Sequence, residues 1–146
     1  MKAIICILIL FQVVFSEMDK FEPDRYFGEC EFYFRRPENW GREINFYAYN
    51  ANHHNELSNW PGEKMLVYDY NEDLDVYYGL FYCEYFELEG TRVLFSDGKN
   101  QAPGPFEEGF LIKKRGLYTQ NGLDSICHYK EVAPGKYIKT LVCDKV

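Results

Sequence analysis

The sequence predicts one all-β domain, and three observations support that prediction. Short runs of β-branched and aromatic residues alternate with clusters of Pro, Gly, Asn and Asp along the chain. No segment keeps the apolar period of about 3.6 residues that is typical of a helix. The 146 residues are 47% hydrophobic and 18% aromatic, which provides enough apolar surface for one buried core. Strands this short and this evenly spaced indicate a β-sandwich or a small barrel.

The first sixteen residues predict a secretory signal peptide rather than part of the fold. Lys2 precedes a mostly apolar run from Ala3 to Val14, and Ser16 precedes an acidic segment. The run is shorter than the roughly 20 residues that a membrane span needs. We therefore expect a secreted protein, extracellular or in the lumen of the secretory pathway, that has no membrane partner.

Charge excludes one large class of partner. The chain has 16 Lys and Arg against 23 Asp and Glu, so its formal net charge is −7. A phosphate backbone is bound through clustered basic residues, which an acidic chain of this kind lacks. We expect no nucleic acid partner and a monomeric protein.

The mature chain divides into three parts by pattern. We predict an N-terminal extension over residues 17–29, a β-sandwich over residues 30–123 and a C-terminal β-hairpin extension over residues 124–146. Turn clusters such as Asp97-Gly98 and Asn121-Gly122 separate the runs that we predict as strands. These runs are Glu31–Phe34, Glu43–Tyr49, Met65–Tyr70, Val76–Tyr85, Arg92–Ser96, Gly109–Lys113 and Leu117–Thr119, followed by a hairpin of Ser125–Val132 and Lys136–Val142.

Removal of the signal peptide leaves four cysteines, Cys30, Cys83, Cys127 and Cys143. Four cysteines in a small exported domain most often form two disulfides, and three connectivities are possible. Cys127 and Cys143 lie near one end of the predicted terminal hairpin, which favours pairing them and leaves Cys30 for Cys83. Metal binding is the competing interpretation, but no Cys-x-x-Cys or Cys/His spacing supports it.

One predicted strand carries a functional signal. Alternate residues of a strand face opposite sides, so Phe46 and Ala48 face the core while Tyr47 and Tyr49 share the outward face. Trp60 follows in a Pro-Gly loop, where a large aromatic side chain is poorly placed for burial. We call Tyr47, Tyr49 and Trp60 the aromatic platform. Aromatic rings with a polar edge suit sugar rings, whose C–H faces are apolar. An exposed aromatic face is also typical of protein interfaces, so a secreted β-sandwich that binds another protein through this face is the alternative.

The order of the motifs resembles the starch-binding carbohydrate-binding modules of families 25 and 26, and most closely family 26. The resemblance runs from Glu31 to Gly122 in the family's order and near its spacing. Trp-Pro-Gly alone is a weak signal, but together with an Asp-Gly-x-Asn-Gln turn it is fairly specific. The resembling segments are Phe32–Phe34, Pro37–Trp40, Asn45–Tyr49, Trp60–Met65, Val93–Gln101, Gly109–Phe110 and Tyr118–Gly122.

The resemblance implies an immunoglobulin-like β-sandwich that binds α-1,4-glucans (starch, glycogen and maltooligosaccharides) without cleaving them. It also implies that Tyr47, Tyr49 and Trp60 hold the sugar rings. Asn100, Gln101 and Lys64 are further residues that it suggests for contacts to sugar hydroxyls, whereas Trp40 is expected to be structural. These modules usually accompany an amylase, so a separate amylolytic enzyme is a partner to consider.

Patterns for enzymes and metals are weak by comparison. Asp69-x-Asn71-x-Asp73-x-Asp75 begins like a calcium loop, but Leu74 replaces the required glycine. His53 and His54 could bind a metal, but no carboxylate or cysteine lies at ligand spacing in the same strand or loop. No carboxylate pair, nucleophile elbow or phosphate loop matches a catalytic motif. We expect a protein that is not an enzyme and that uses no cofactor or metal.

Overall fold

The fold is a β-sandwich of two sheets, as the sequence predicts. The computed structural model describes residues 29–82 and 89–146, so the predicted signal peptide, most of the predicted N-terminal extension and Cys83 lie outside the described residues. No described helix is long and apolar enough to cross a membrane. The strands are β1 (Glu29–Arg35), β2 (Asn45–Asn50), β3 (Asn55–Glu56), β4 (Glu63–Lys64), β5 (Leu66–Val67), β6 (Val76–Tyr82), β7 (Thr91–Ser96), β8 (Gln101–Ala102), β9 (Phe110–Leu111), β10 (Gly116–Thr119), β11 (Gly122–Ala133) and β12 (Lys136–Lys145).

Among the described residues, six strands form each sheet. Sheet A has the order β12-β11-β10-β1-β6-β5, and β1 runs parallel to β10 but antiparallel to β6. Sheet B has the order β3-β2-β7-β8, with β4 also paired to β2 and β9 also paired to β7. The main core lies between the sheets, where the inward residues of β1 and β2 pack against each other. For example, the rings of Phe32 and Phe46 pack edge to face with their centroids 4.9 Å apart.

Several strand bounds differ from the predicted ones. The predicted strand Met65–Tyr70 is shorter in the structure, where it covers Leu66–Val67. The backbone N–H of Tyr68 donates to the carbonyl of Val76 at 2.8 Å, and the chain turns directly after Tyr68. The predicted strand Gly109–Lys113 shrinks to Phe110–Leu111, and the predicted strand Glu43–Tyr49 begins two residues later. The sequence does not predict the short strands β3, β4 and β8, because two residues are too few to show an alternation.

The C-terminal hairpin continues sheet A without a break. The first residues of β11 pair with β10, and β11 then pairs with β12 along the hairpin. Cys127 and Cys143 are directly opposite each other and form a disulfide, which confirms the predicted pairing. Cys30 is also disulfide-bonded; its predicted partner Cys83 is outside the described residues, so that pairing stays a prediction.

The hairpin also closes sheet A upon itself. The Tyr68 hydroxyl donates to the carbonyl of Lys139 on β12, and the backbone N–H of Leu141 donates to Asn71 Oδ1 at 2.9 Å. The segment after β5 therefore meets the strand at the opposite end of the sheet. A second, smaller core fills the space enclosed in this way, and its buried residues are Tyr33, Tyr68, Val76, Leu117 and Cys127.

Candidate functional site: an aromatic face on sheet B

Strand β2 carries two tyrosines on the face of sheet B that points away from the core. Phe46 and Ala48 are buried in the main core, and the alternating positions Tyr47 and Tyr49 are half-buried. Their rings lie 5.8 Å apart with planes inclined by 29°, so they form a continuous stacked pair. The outward placement that the alternation predicts is therefore what the backbone of β2 produces.

Trp60 completes the platform from the loop between β3 and β4. Its side chain is 51% exposed, and its ring stands 5.5 Å from Tyr47 at an angle of 66°. The loop needs glycine at position 62, where φ is +96° and an added Cβ would lie 2.0 Å from the carbonyl oxygen of Phe46. The structure thus brings all three platform residues together, with the indole edge-on to the first tyrosine.

Hydrogen bonds hold both tyrosine hydroxyls. Tyr47 donates to the carboxylate of Glu56 on β3. That hydrogen bond, with smaller contributions from burial and from the charge of Glu56, raises the pKa of Tyr47 to about 12. The Tyr49 hydroxyl accepts the backbone N–H of Gly109 at 3.0 Å. The rings are therefore fixed in orientation before any ligand arrives.

Glu56 is the site residue that sequence reasoning missed. It pairs with Tyr49 in the short strand β3, which places its carboxylate on the same face as the tyrosines. A strand of two residues inside a polar loop leaves no periodic pattern, so only the pairing register identifies it.

Polar side chains lie beside the platform on the same face. The register places Lys64 of β4 opposite Asn45 of β2, Asn45 opposite Ser96 of β7, and Ser96 opposite Gln101 of β8. Residues that are directly opposite in a sheet share a face, so Lys64 and Gln101 both point outward with the tyrosines. Gln101 donates its side-chain amide to the carbonyl of Pro103 at 3.1 Å, which leaves its amide oxygen to accept a hydrogen bond from a ligand.

Asn100 is used by its own turn. Its Nδ2 donates to Asp97 Oδ2 at 2.9 Å, and its backbone N–H donates to Asp97 Oδ1 at 2.5 Å. Burial raises the pKa of Asp97, but these bonds and those from the backbone N–H groups of Gly41 and Lys99 outweigh it and hold the pKa well below its usual range. The Asp-Gly-x-Asn turn is therefore a stabilised structural unit, and the side-chain oxygen of Asn100, like that of Gln101, remains an acceptor for a ligand.

Trp40, which the sequence predicts to be structural, is buried against Phe34 with ring centroids 5.4 Å apart. His53 and His54 are exposed in the loop before β3. Within residues 29–82 and 89–146, no three His, Cys, Asp or Glu side chains come close enough together to hold a metal ion.

Comparison with known families shows which family the chain belongs to. The family model of starch-binding module 26 matches residues 32–107, more than half of the chain, including both platform tyrosines and Trp60. The chain belongs to this family. The family 26 module of an amylase from Bacillus halodurans, solved in complex with maltose, is 31% identical over 61% of this chain and 89% of that one, with a TM-score of 0.46. A second structure of that module is 28% identical over 60% of this chain and 82% of that one, with a TM-score of 0.44. No curated protein matches the chain.

The region that matches the family model ends before the hairpin. The hairpin strands β11 and β12 belong to sheet A, whereas the platform lies on the outward face of sheet B. The hairpin therefore leaves the platform uncovered.

Proposed function

We propose that this protein is a secreted, non-catalytic module that binds α-1,4-glucans by stacking sugar rings on the aromatic platform. The observation that carries the proposal is the grouping of Tyr47, Tyr49 and Trp60 on one outward face, with half of the indole surface open to solvent. Membership of the starch-binding family supports the same ligand class.

The physical basis is the match between a flat aromatic surface and the apolar faces of a hexose. The two tyrosine rings are nearly parallel to each other, whereas the indole ring is steeply inclined to them. An aromatic surface that bends in this way suits a curved chain of sugar rings better than a flat one. Gln101 and Lys64, in the row of residues beside the tyrosines, supply an amide and an ammonium group for sugar hydroxyls. Asn100 holds the turn that precedes Gln101, and its side-chain oxygen is a further acceptor for sugar hydroxyls.

Catalysis at this surface has no support in the geometry. Hydrolysis of a glycosidic bond needs two carboxyl groups across the scissile bond, about 5 to 10 Å apart. In the part of the chain that the structure describes, the carboxylate that is hydrogen-bonded to the platform is that of Glu56, which accepts the hydroxyl of Tyr47. Its role is to hold the ring, which suits a binding protein.

Secretion is part of the proposal. The predicted signal peptide over residues 1–16 and the Cys127–Cys143 disulfide both favour an oxidising compartment, because disulfides persist there and are rare in the cytosol. In this proposal the protein acts as a monomer on the polymer, alone or beside a separate amylolytic enzyme.

The test is retention of the oxidised mature protein on granular starch, with cellulose as the control matrix and maltohexaose as competitor. We expect retention on starch that maltohexaose releases. Trp60→Ala and Tyr47→Ala should each weaken binding by about 10- to 100-fold, the loss of one stacking contact, and should barely change the melting temperature. Tyr70→Ala is the matched control, since Tyr70 is 54% exposed but contacts the hairpin side chain of Lys139.

Two results would contradict the proposal. A folded wild-type protein that starch does not retain would remove the ligand class, and a protein partner on the same aromatic face would then be the function to pursue. A large fall in melting temperature for Trp60→Ala would make the indole a structural residue instead.

A further inference from the structure

Charge is divided unevenly along this acidic chain. Residues 113–146 contain seven Lys and Arg against three Asp and Glu, a net charge of +4, whereas residues 1–112 contain nine against twenty, a net charge of −11. The basic part comprises β10, the hairpin and the Lys113-Lys114-Arg115 turn before them. Segregation of this kind indicates an anionic partner for the basic part.

The basic part contains a groove beside strand β11. Pairing between β10 and β11 reaches Ile126, and the backbone N–H of Cys127 then donates to the carbonyl of Arg115 at 2.8 Å. Beyond that point β11 continues into the hairpin while β10 has ended, which opens a groove of about 610 Å³. Its volume lies within the range of roughly 300 to 1,000 Å³ that is typical of small-ligand sites. Its lining residues include Arg115, Tyr129, Lys130 and Tyr137.

Arg115 is held rigidly at the edge of this groove. Its backbone adopts φ of 61°, and its backbone N–H donates to the carbonyl of Glu31 at 2.6 Å. The guanidinium carbon lies 4.2 Å from the centre of the Tyr129 ring, and the Tyr129 hydroxyl donates to Glu31 Oε2 at 2.6 Å. The tyrosine covers one face of the guanidinium, so the N–H groups at its edge are oriented for a planar or tetrahedral anion.

A second cation is available in the same groove. Among the described residues, neither Arg115 nor Lys130 takes part in an ion pair. His128, by contrast, lies 3.5 Å from Asp144. The Glu131 carboxylate, the acidic group in the lining, accepts the backbone N–H of Gly135 at 3.0 Å. Two cations without an ion pair, Arg115 and Lys130, therefore line the groove together with Tyr129 and Tyr137.

We propose that this groove is a second binding site, specific for a phosphate monoester carried on a sugar ring. A phosphate monoester has a charge of about −1.5 to −2 at neutral pH, which matches two cations better than a carboxylate does. Arg115 and Lys130 bind the phosphate oxygens, and Tyr129 and Tyr137 contact the ring. The site is in sheet A and does not depend on glucan binding by the platform on sheet B.

The test uses the oxidised mature protein and three probes, glucose 6-phosphate, glucose and inorganic phosphate, followed by NMR chemical-shift titration of the backbone amides. We expect glucose 6-phosphate to bind at least about tenfold more tightly than either other probe, with shifts centred on residues 115 and 128–137. Lys130→Gln should weaken that binding about fivefold and Arg115→Asn about tenfold. Asn tolerates the positive φ at position 115, so the fold is preserved.

Two controls separate this site from bulk charge and from the platform. Lys99→Gln removes the same charge from an exposed turn and should leave binding unchanged. Trp60→Ala should also leave it unchanged, since the indole lies on the other sheet. The proposal is overturned if glucose 6-phosphate binds no better than inorganic phosphate, if Lys99→Gln weakens binding as much as Lys130→Gln, or if the shifts centre on the platform.

Discussion

Tyr33 and Tyr47 occupy equivalent places in the two sheets, yet their surroundings differ completely. Each points away from the main core, because its strand neighbours Phe32 and Phe46 point into it. Tyr33 is 0% exposed and belongs to the second core, whereas Tyr47 remains at the surface beside Trp60. The same residue type on the same kind of face becomes a core residue on one sheet and a binding-site residue on the other.

The hairpin explains the difference. It extends sheet A by two strands, and β12 contacts the segment after β5. Together the hairpin and that segment cover the outward face of β1. Burial, and then the nearby charge of Glu31, raise the pKa of Tyr33 far above its ordinary value. Sheet B has no comparable cover in the described structure, so its tyrosines stay accessible. A face of a sandwich serves as a site only where no further layer closes over it.

The largest effect that this comparison predicts is on stability. Tyr33→Ala leaves a cavity in the second core and should lower the free energy of unfolding by about 3 to 5 kcal/mol. Tyr47→Ala, at the surface, should lower it by less than about 1 kcal/mol. Urea denaturation followed by circular dichroism measures both values, and Tyr33→Phe, which keeps the ring, is the control. Equal losses for the two alanine variants would refute the contrast between buried and open faces.

An intermediate effect concerns the disulfide in the hairpin. Replacement of both Cys127 and Cys143 by alanine opens a loop with a sequence separation of 16, and it should cost about 3 kcal/mol of stability. Starch retention at a temperature well below unfolding should not change, because the platform lies on sheet B. The double variant is a cleaner test than chemical reduction, since Cys30 is also disulfide-bonded. Loss of starch retention in the folded variant would mean that the two sheets are coupled.

The smallest predicted effect is on the pKa of Tyr47, and it tests whether Glu56 holds the Tyr47 ring in place. Glu56→Gln removes the charged acceptor of the Tyr47 hydroxyl, so the Tyr47 pKa should fall from about 12 towards its ordinary value of 10.0. A raised pKa in the folded state stabilises the fold below the unfolded pKa, and this contribution is lost as the pH rises from about 10 to about 12. The variant should therefore lose less stability than the wild type in that window.

NMR of ring-labelled tyrosine, with the Tyr47 signal assigned, measures this pKa directly. Glu38→Gln is the control, because it neutralises an exposed carboxylate that does not touch Tyr47. An unchanged pKa in Glu56→Gln would show that Glu56 does not hold the ring in solution.

The amino-acid sequence alone determined the features of this protein that depend on geometry between residues close together in the chain. The alternation along β2 predicts which tyrosines point outward, the Pro-Gly loop predicts an exposed Trp60, and the hairpin position predicts the Cys127–Cys143 pair. These predictions succeed because strand alternation and turn chemistry act between residues that are close in sequence.

Tertiary structure decided the features that depend on residues far apart in the chain. Only the strand register brings Glu56 to the platform. Only the folded turn shows that the Asn100 side-chain nitrogen donates to Asp97, and only the end of β10 leaves the groove beside Arg115. Closure of sheet A joins Tyr68 to Lys139, 71 residues away, and so makes one tyrosine face a core. Contacts over such separations arise from how sheets twist and meet, which no local pattern encodes.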